Sequence, residues 1–171
     1  MGLLHIYDDD DWRMNLMTKR NDAQAVVPVT GGALKLVDHL DGIVKSGWHF
    51  NRVLFETHGS PGMIVFGDDG IDARWMRSLS GRGYETIFQA GTKLYFNGCN
   101  VAEGKKGWDF LRAAAEVFLI GMGGTAFGHT SSGFADPLTG HVVHLWGDTR
   151  YVYMEPGGDA IRSLSNTTQS A

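Results

Sequence analysis

Lys93-Leu94-Tyr95-Phe96-Asn97-Gly98-Cys99-Asn100-Val101-Ala102-Glu103-Gly104-Lys105-Lys106-Gly107-Trp108-Asp109-Phe110-Leu111 is the stretch whose reading sets the fold of this chain. Leu94, Tyr95 and Phe96 form an apolar run closed by Asn97-Gly98, the pattern of a buried strand and its exit. From Gly107 to Leu119 the residues Trp108, Leu111, Ala115 and Phe118 recur at helical spacing, with Phe110, Ala114 and Val117 widening the stripe. A stripe of that width predicts a helix packed on a sheet. Cys99, the one cysteine of the chain, therefore falls just past the C-terminal end of a strand. In open α/β sheets ligands and chemistry collect at that edge, because the loops diverge there around a crevice.

The same pattern occurs once upstream. Val53-Leu54-Phe55 is a second apolar run, and Glu56-Thr57-His58-Gly59-Ser60-Pro61-Gly62 follows it, so His58 also stands at a strand exit. If the two strands are parallel neighbours, about 5 Å apart, His58 and Cys99 face one crevice as base and nucleophile. Taken singly, each has a plainer reading. A lone cysteine fits a small core hydrophobe, and a histidine before glycine fits a closed turn.

Leu3 to Tyr7 reads as a first strand, and Asp8, Asp9, Asp10 and Asp11 come directly after it. Four carboxylates in a row cannot all be buried, so they belong to a loop. That loop fits a solvated turn or a Ca²⁺ contact. It also fits a charged pocket wall selecting a cationic side chain, formed by Asp8, Asp9 and Asp10. Ala33, Leu36, Val37, Leu40, Ile43 and Val44 mark a helix over 33–46, with Gly47 at its stop. Strand, helix, strand is the signature of a right-handed parallel crossover. Met63 to Phe66 reads as a small strand beside the main sheet, and Asp72 to Leu79 as a short helix. Residues 12–29 carry no assignable pattern.

Beyond Gly128 the signals weaken. Thr125-Ala126-Phe127 suggests a further strand, and His129, in a Gly/Thr/Ser loop, fits a residue lining the crevice or, as the plainer reading, one in a surface loop. His141 to Trp146 and Thr149 to Met154, around Gly147-Asp148, predict a β-hairpin. His141 and His144 point to opposite faces of a strand and fail as a metal pair. The expected architecture is one α/β domain over residues 1–162, a mainly parallel central sheet flanked by helices with a C-terminal β-hairpin. Residues 163–171 are expected to be a disordered tail.

Composition limits the function classes. The chain has 171 residues and a formal charge of −4 with both signs mixed along it, which leaves no footprint for nucleic acid or an anionic membrane. No apolar run reaches the ~20 residues of a membrane span. One cysteine excludes an internal disulfide. The N-terminus lacks the basic and long apolar regions of a signal peptide. A cytoplasmic protein is expected, or an effector exported without a classical signal peptide.

Thr57-His58-Gly59-Ser60-Pro61-Gly62 and Asn97-Gly98-Cys99-Asn100-Val101-Ala102, about one βα unit apart, resemble the His-Gly and Gly-Cys boxes of the caspase-like (clan CD) cysteine peptidases. The nearest likeness is to bacterial caspase-like domains whose cysteine box runs into an aromatic helix, as Gly107-Trp108-Asp109-Phe110-Leu111 does here. The resemblance spans roughly residues 3–127. It implies a caspase-like fold and endopeptidase activity through a His58–Cys99 dyad, with the Gly59 and Cys99 amides as oxyanion hole. It also implies that the loop after the first strand shapes the pocket for the residue before the cut. With aspartates in that loop, Arg or Lys is the expected preference. The expected partner is a protein or peptide substrate, with no cofactor and no metal; a homo-oligomer is left open. Two other readings stand beside it: a catalytically inactive caspase-like binding or scaffold domain, and a flavodoxin-like small-ligand domain.

Overall fold

A computed structural model describes residues 2–12, 14, 22–135, 142–144, 146–157 and 161–167. Strand β1 (Leu3–Asp8) lies inside a seven-stranded sheet with β2 (Ala25–Val29), β3 (Phe50–Glu56), β7 (Phe88–Phe96), β8 (Gly124–His129), β11 (Asp148–Met154) and β12 (Ile161–Thr167). The order is β12-β11-β8-β7-β3-β1-β2. The β2, β1, β3, β7 and β8 pairings are parallel; β11 runs antiparallel to β8 and β12. Two small sheets sit beside it. One holds β4 (His58–Ser60), β5 (Met63–Phe66) and β6 (Asp69–Asp72), the other β9 (Gly133–Ala135) and β10 (Val142–His144).

The connections include α1 (Ala33–Ser46), α2 (Ala73–Arg77) and α3 (Gly104–Phe118), with a 3-10 helix at Tyr84–Ile87 before β7. Alternate strand residues Leu4, Ile6, Val53, Phe55, Leu94 and Phe96 join Leu36, Leu40, Met76, Phe110 and Phe118 in one buried cluster. The described helices thus share one face of the sheet. Each such aromatic or aliphatic side chain contributes about 1.5–3 kcal/mol by leaving water. The opposite face carries a row of rings across three strands. Tyr95 stacks on Phe127 with centroids 4.9 Å apart, and Phe127 meets Tyr151 at 5.8 Å.

Local chemistry explains the helix ends. Gly47 takes the left-handed conformation (φ 69) that stops α1. Asp72 caps α2 by accepting from Trp75 N at 2.8 Å. The α1 N-terminus has no cap of its own; Asp69, at the start of β6, accepts from Ala33 N at 3.0 Å. Arg77 of α2 ties itself to Asp109 and Glu116 of α3, each at 2.8 Å.

The α/β architecture with its parallel sheet is as the sequence predicts, with three corrections. The expected pairing of 141–146 with 149–154 does not form: β10 pairs with β9, while β11 pairs with β8 and β12. The C-terminal hairpin is instead β11–β12. Alternation in each strand was visible, but its partner lay elsewhere in the chain. The expected tail is strand through Thr167, since small polar residues suit an edge strand whose ladder is made by a neighbour's backbone; residues 168–171 lie outside the described ones. Finally, β2 occupies part of the stretch that carried no pattern. It is an edge strand, where Pro28 costs no ladder bond.

Candidate functional site

The parallel β3–β7 pairing sets Phe55 opposite Phe96, so the two strands end level at one sheet edge. The exits then touch through their backbones. A Cβ built on Gly59 would lie 2.7 Å from the Cys99 carbonyl oxygen and 2.7 Å from Val101 Cγ2; one on Gly98 would lie 2.9 Å from the His58 carbonyl oxygen. Both boxes therefore need glycine for close approach. Beyond Cys99 the chain turns through Asn100, whose φ of 56 is the one positive value at a non-glycine described residue. Asparagine tolerates this conformation better than most side chains.

The two side chains have separate partners. His58 Nε2 lies 2.8 Å from Asp11 Oδ2, with half of the imidazole exposed. The Cys99 thiol donates to the Gly133 carbonyl at 3.6 Å and is partly buried. Gly59 sits in β4 opposite Ile64, next to the Cys99 loop.

The acidic loop emerges at the same edge and walls a cavity of about 760 Å³. Asp8, Asp10, Asp11, Asp68, Asp69 and His58 line it. Of the three expected wall residues, Asp9 is not in that lining; its carboxylate accepts from Thr30 Oγ1 at 3.3 Å. Asp8 is buried at the end of β1 and accepts from the Gly67 and Asp10 amides at 3.1 and 3.2 Å. Burial pushes its carboxyl above the ordinary range, against the lowering effect of those two amides, with the Asp10 charge raising it further. Asp10 accepts from Gly31 N at 2.8 Å. Thus Asp10 and Asp69 both lean on the start of α1, whose positive end offsets part of the cavity's negative charge. Asp11 belongs to the acidic run read from the sequence, whereas the carboxylates Asp68 and Asp69 of the same lining do not. Gly67-Asp68-Asp69-Gly70 between two short apolar runs was the available signal for a tight turn with carboxylates at its tip.

The far side of the Cys99 loop is stitched to residues 129–133. Asn100 N donates to Ser131 O at 3.0 Å, Ala102 N to His129 O at 3.0 Å, and Asn100 Nδ2 to Ser132 Oγ at 3.3 Å. On its helix side, Arg150 donates to the Ala102 and Gly104 carbonyls, both at 2.9 Å, and lies over the Trp108 ring. His129 belongs to the end of β8 and not to a surface loop: its ring stacks on His144 with centroids 3.7 Å apart. His141 lies outside the described residues. Burial lowers the His129 pKa to about 4, with the His144 charge adding to the effect, and burial also lowers His144.

Among the described residues, no group of three or more His, Cys, Asp or Glu is placed to hold a metal ion, and no helix is long and apolar enough to cross a membrane. Comparison with protein-family models, with curated proteins and with solved structures finds no match to this chain.

Proposed function

We propose that this chain is a caspase-like cysteine endopeptidase with Cys99 as nucleophile, His58 as its acid–base partner and a preference for Arg or Lys before the cut. One observation carries the reading: level, adjacent, parallel strands bring the His58-Gly59 and Gly98-Cys99 backbones into contact at the carboxyl edge of the sheet. Cys99 passes its thiol proton to His58 as its sulfur adds to the peptide carbonyl, while the Gly59 and Cys99 amides face the developing oxyanion. As the C–N bond breaks, His58 gives a proton to the leaving amine. Water then adds to the thioester, releasing the acid and restoring the thiol. With Nε2 engaged by Asp11, Nδ1 is the nitrogen left for this exchange. The acidic cavity beside His58 supports the basic-residue preference.

A second reading has its own observation. The thiol bonds to Gly133 and the imidazole to Asp11, an arrangement that suits a binding or scaffold domain without turnover. A flavodoxin-like ligand domain has less support, because α1 turns its N-terminus toward carboxylates and not toward an open phosphate cradle.

An Arg- or Lys-terminated acyloxymethyl ketone, read by intact mass on wild type, Cys99→Ala and His58→Ala, separates these readings. Labelling of the wild type alone supports the peptidase. Preference for an Asp-terminated probe would overturn the basic-residue pocket. Absence of labelling with either probe would favour the binding domain.

A further inference from the structure

We propose that the stacked His129–His144 pair is a positioning device for Cys99, an acid-sensitive latch that holds the wall against which the thiol rests only while both rings are neutral. The proposal concerns the setting of the thiol and does not depend on what the thiol attacks.

The connections run without a gap from the rings to the sulfur. The Cys99 thiol bonds to the Gly133 carbonyl, and Gly133 is the β9 residue paired with His144 of β10. The His144 ring stands 3.2 Å from the Ser131 carbonyl through Nδ1, and Ser131 is the residue that receives the Asn100 amide. His129 anchors the other end, its carbonyl accepting from Ala102 N and its Nδ1 lying 3.2 Å from Thr149 Oγ1. Separating the rings would therefore move β9–β10 away from both sides of the 99–102 turn.

The tautomer makes the latch sensitive to protons. A carbonyl can only accept, so His144 Nδ1 carries the hydrogen and Nε2 keeps its lone pair. That Nε2 is buried with no hydrogen-bond partner. A proton there would place charge on a buried atom without an acceptor, and a second proton on His129 would put two cations 3.7 Å apart. The surrounding elements offer little relief. On β11, Asp148 and Arg150 occupy positions alternate to Thr149, and Arg150 is committed to the α3 side. Tyr95 of β7 and Tyr151 of β11 continue the aromatic row, and Cys99 is a further titratable group at this wall among the described residues. The depressed pKa of each ring agrees with this geometry.

Because Cys99 is the only cysteine, thiol chemistry reads its setting directly. The full chain is treated with 2,2′-dithiodipyridine, which reacts in acid, from pH 7 to pH 4.5. Each rate is divided by that of the guanidinium-unfolded chain at the same pH, while far-UV circular dichroism follows the fold. The wild-type ratio is expected to rise at least fivefold with the dichroism unchanged. The double variant His129→Phe/His144→Phe, which keeps two stacked rings and removes both protonation sites, is expected to change less than twofold. His144→Asn, which keeps a donor for Ser131, is expected to show a smaller rise than wild type. A flat wild-type ratio, a rise that comes only with loss of the fold, or an equal rise in a variant would overturn the latch. A peptidase assay is not needed, so failure of the latch and failure of the peptidase reading are told apart.

Discussion

His58 Nε2 and Asp11 Oδ2 are joined at 2.8 Å across 47 residues of sequence, a hydrogen bond that links the exit of β3 to the exit of β1. It fixes which imidazole nitrogen faces the acidic cavity and which is left for a substrate. A charge-assisted bond of this kind contributes about 1.5–3 kcal/mol, or roughly tenfold or more in rate if all of it serves the transition state. Asp11→Ala is therefore expected to lower the cleavage of Arg- or Lys-terminated fluorogenic peptides about tenfold, and His58→Ala about 10²–10⁴-fold. Equal loss in the two variants would show that Asp11 shapes the fold and not the imidazole.

Gly59 faces the Cys99 carbonyl and Val101 with no room for a methyl group. Gly59→Ala must push the two boxes apart, and overpacking of this kind costs about 1–3 kcal/mol. A lower urea midpoint together with slower covalent labelling of Cys99 is the expected result. Gly81→Ala, whose Cβ would meet nothing within 4 Å, controls for crowding, although its own positive φ makes it costly as backbone.

Asp8 gives a pH dependence whose sign is fixed by burial. Its folded pKa is raised, so the folded chain binds more protons than the unfolded one as pH climbs from the ordinary carboxylate range through the folded value. Stability is lost over that interval and stays lost at neutral pH. Asp8→Asn, which keeps an acceptor for Gly67 N, should stabilise the protein at pH 7, the gain shrinking as pH falls toward 4. Denaturant midpoints of both proteins at pH 7 and pH 5 test this; a gain that grows on acidification would refute it.

His5 and Glu56 form a pair 2.7 Å apart with both side chains fully buried, one strand position from the His58 box. Removing one partner leaves the other buried without its hydrogen bond and costs about 1–3 kcal/mol, whereas replacing both by apolar groups is often close to neutral. His5→Ala is expected to fall in the first range by guanidinium unfolding, and His5→Leu/Glu56→Leu to recover most of the loss. If the double variant is no better than the single one, the loss does not come from stranding a buried polar partner.

The strand runs 53–55 and 94–96, the helix stop at Gly47 and the cap at Asp72 were readable because each rests on neighbours in sequence. So were the positions of His58 and Cys99, since a strand exit is a local event. What was not readable depended on distant partners. Asp69 caps a helix 36 residues upstream, Asp9 turns to Thr30 and not to the cavity, and β12 forms only because β11 offers it a ladder. The stacking of His129 on His144 is of the same kind: the two residues lie on strands of different sheets, and periodicity within either strand carries no trace of it.

The carbonyl that receives the Cys99 thiol is 34 residues further along the chain, and the strand that pairs with it ends at His144. During synthesis the His58 side of the crevice can close once β1 and β3 have paired, while the sulfur has no such wall until β8, β9 and β10 have emerged. At roughly 5–20 residues per second, seconds separate the synthesis of Cys99 from that of the strand that completes its wall. The arrangement of strands thus leaves the setting of the thiol to be completed by the last third of the chain.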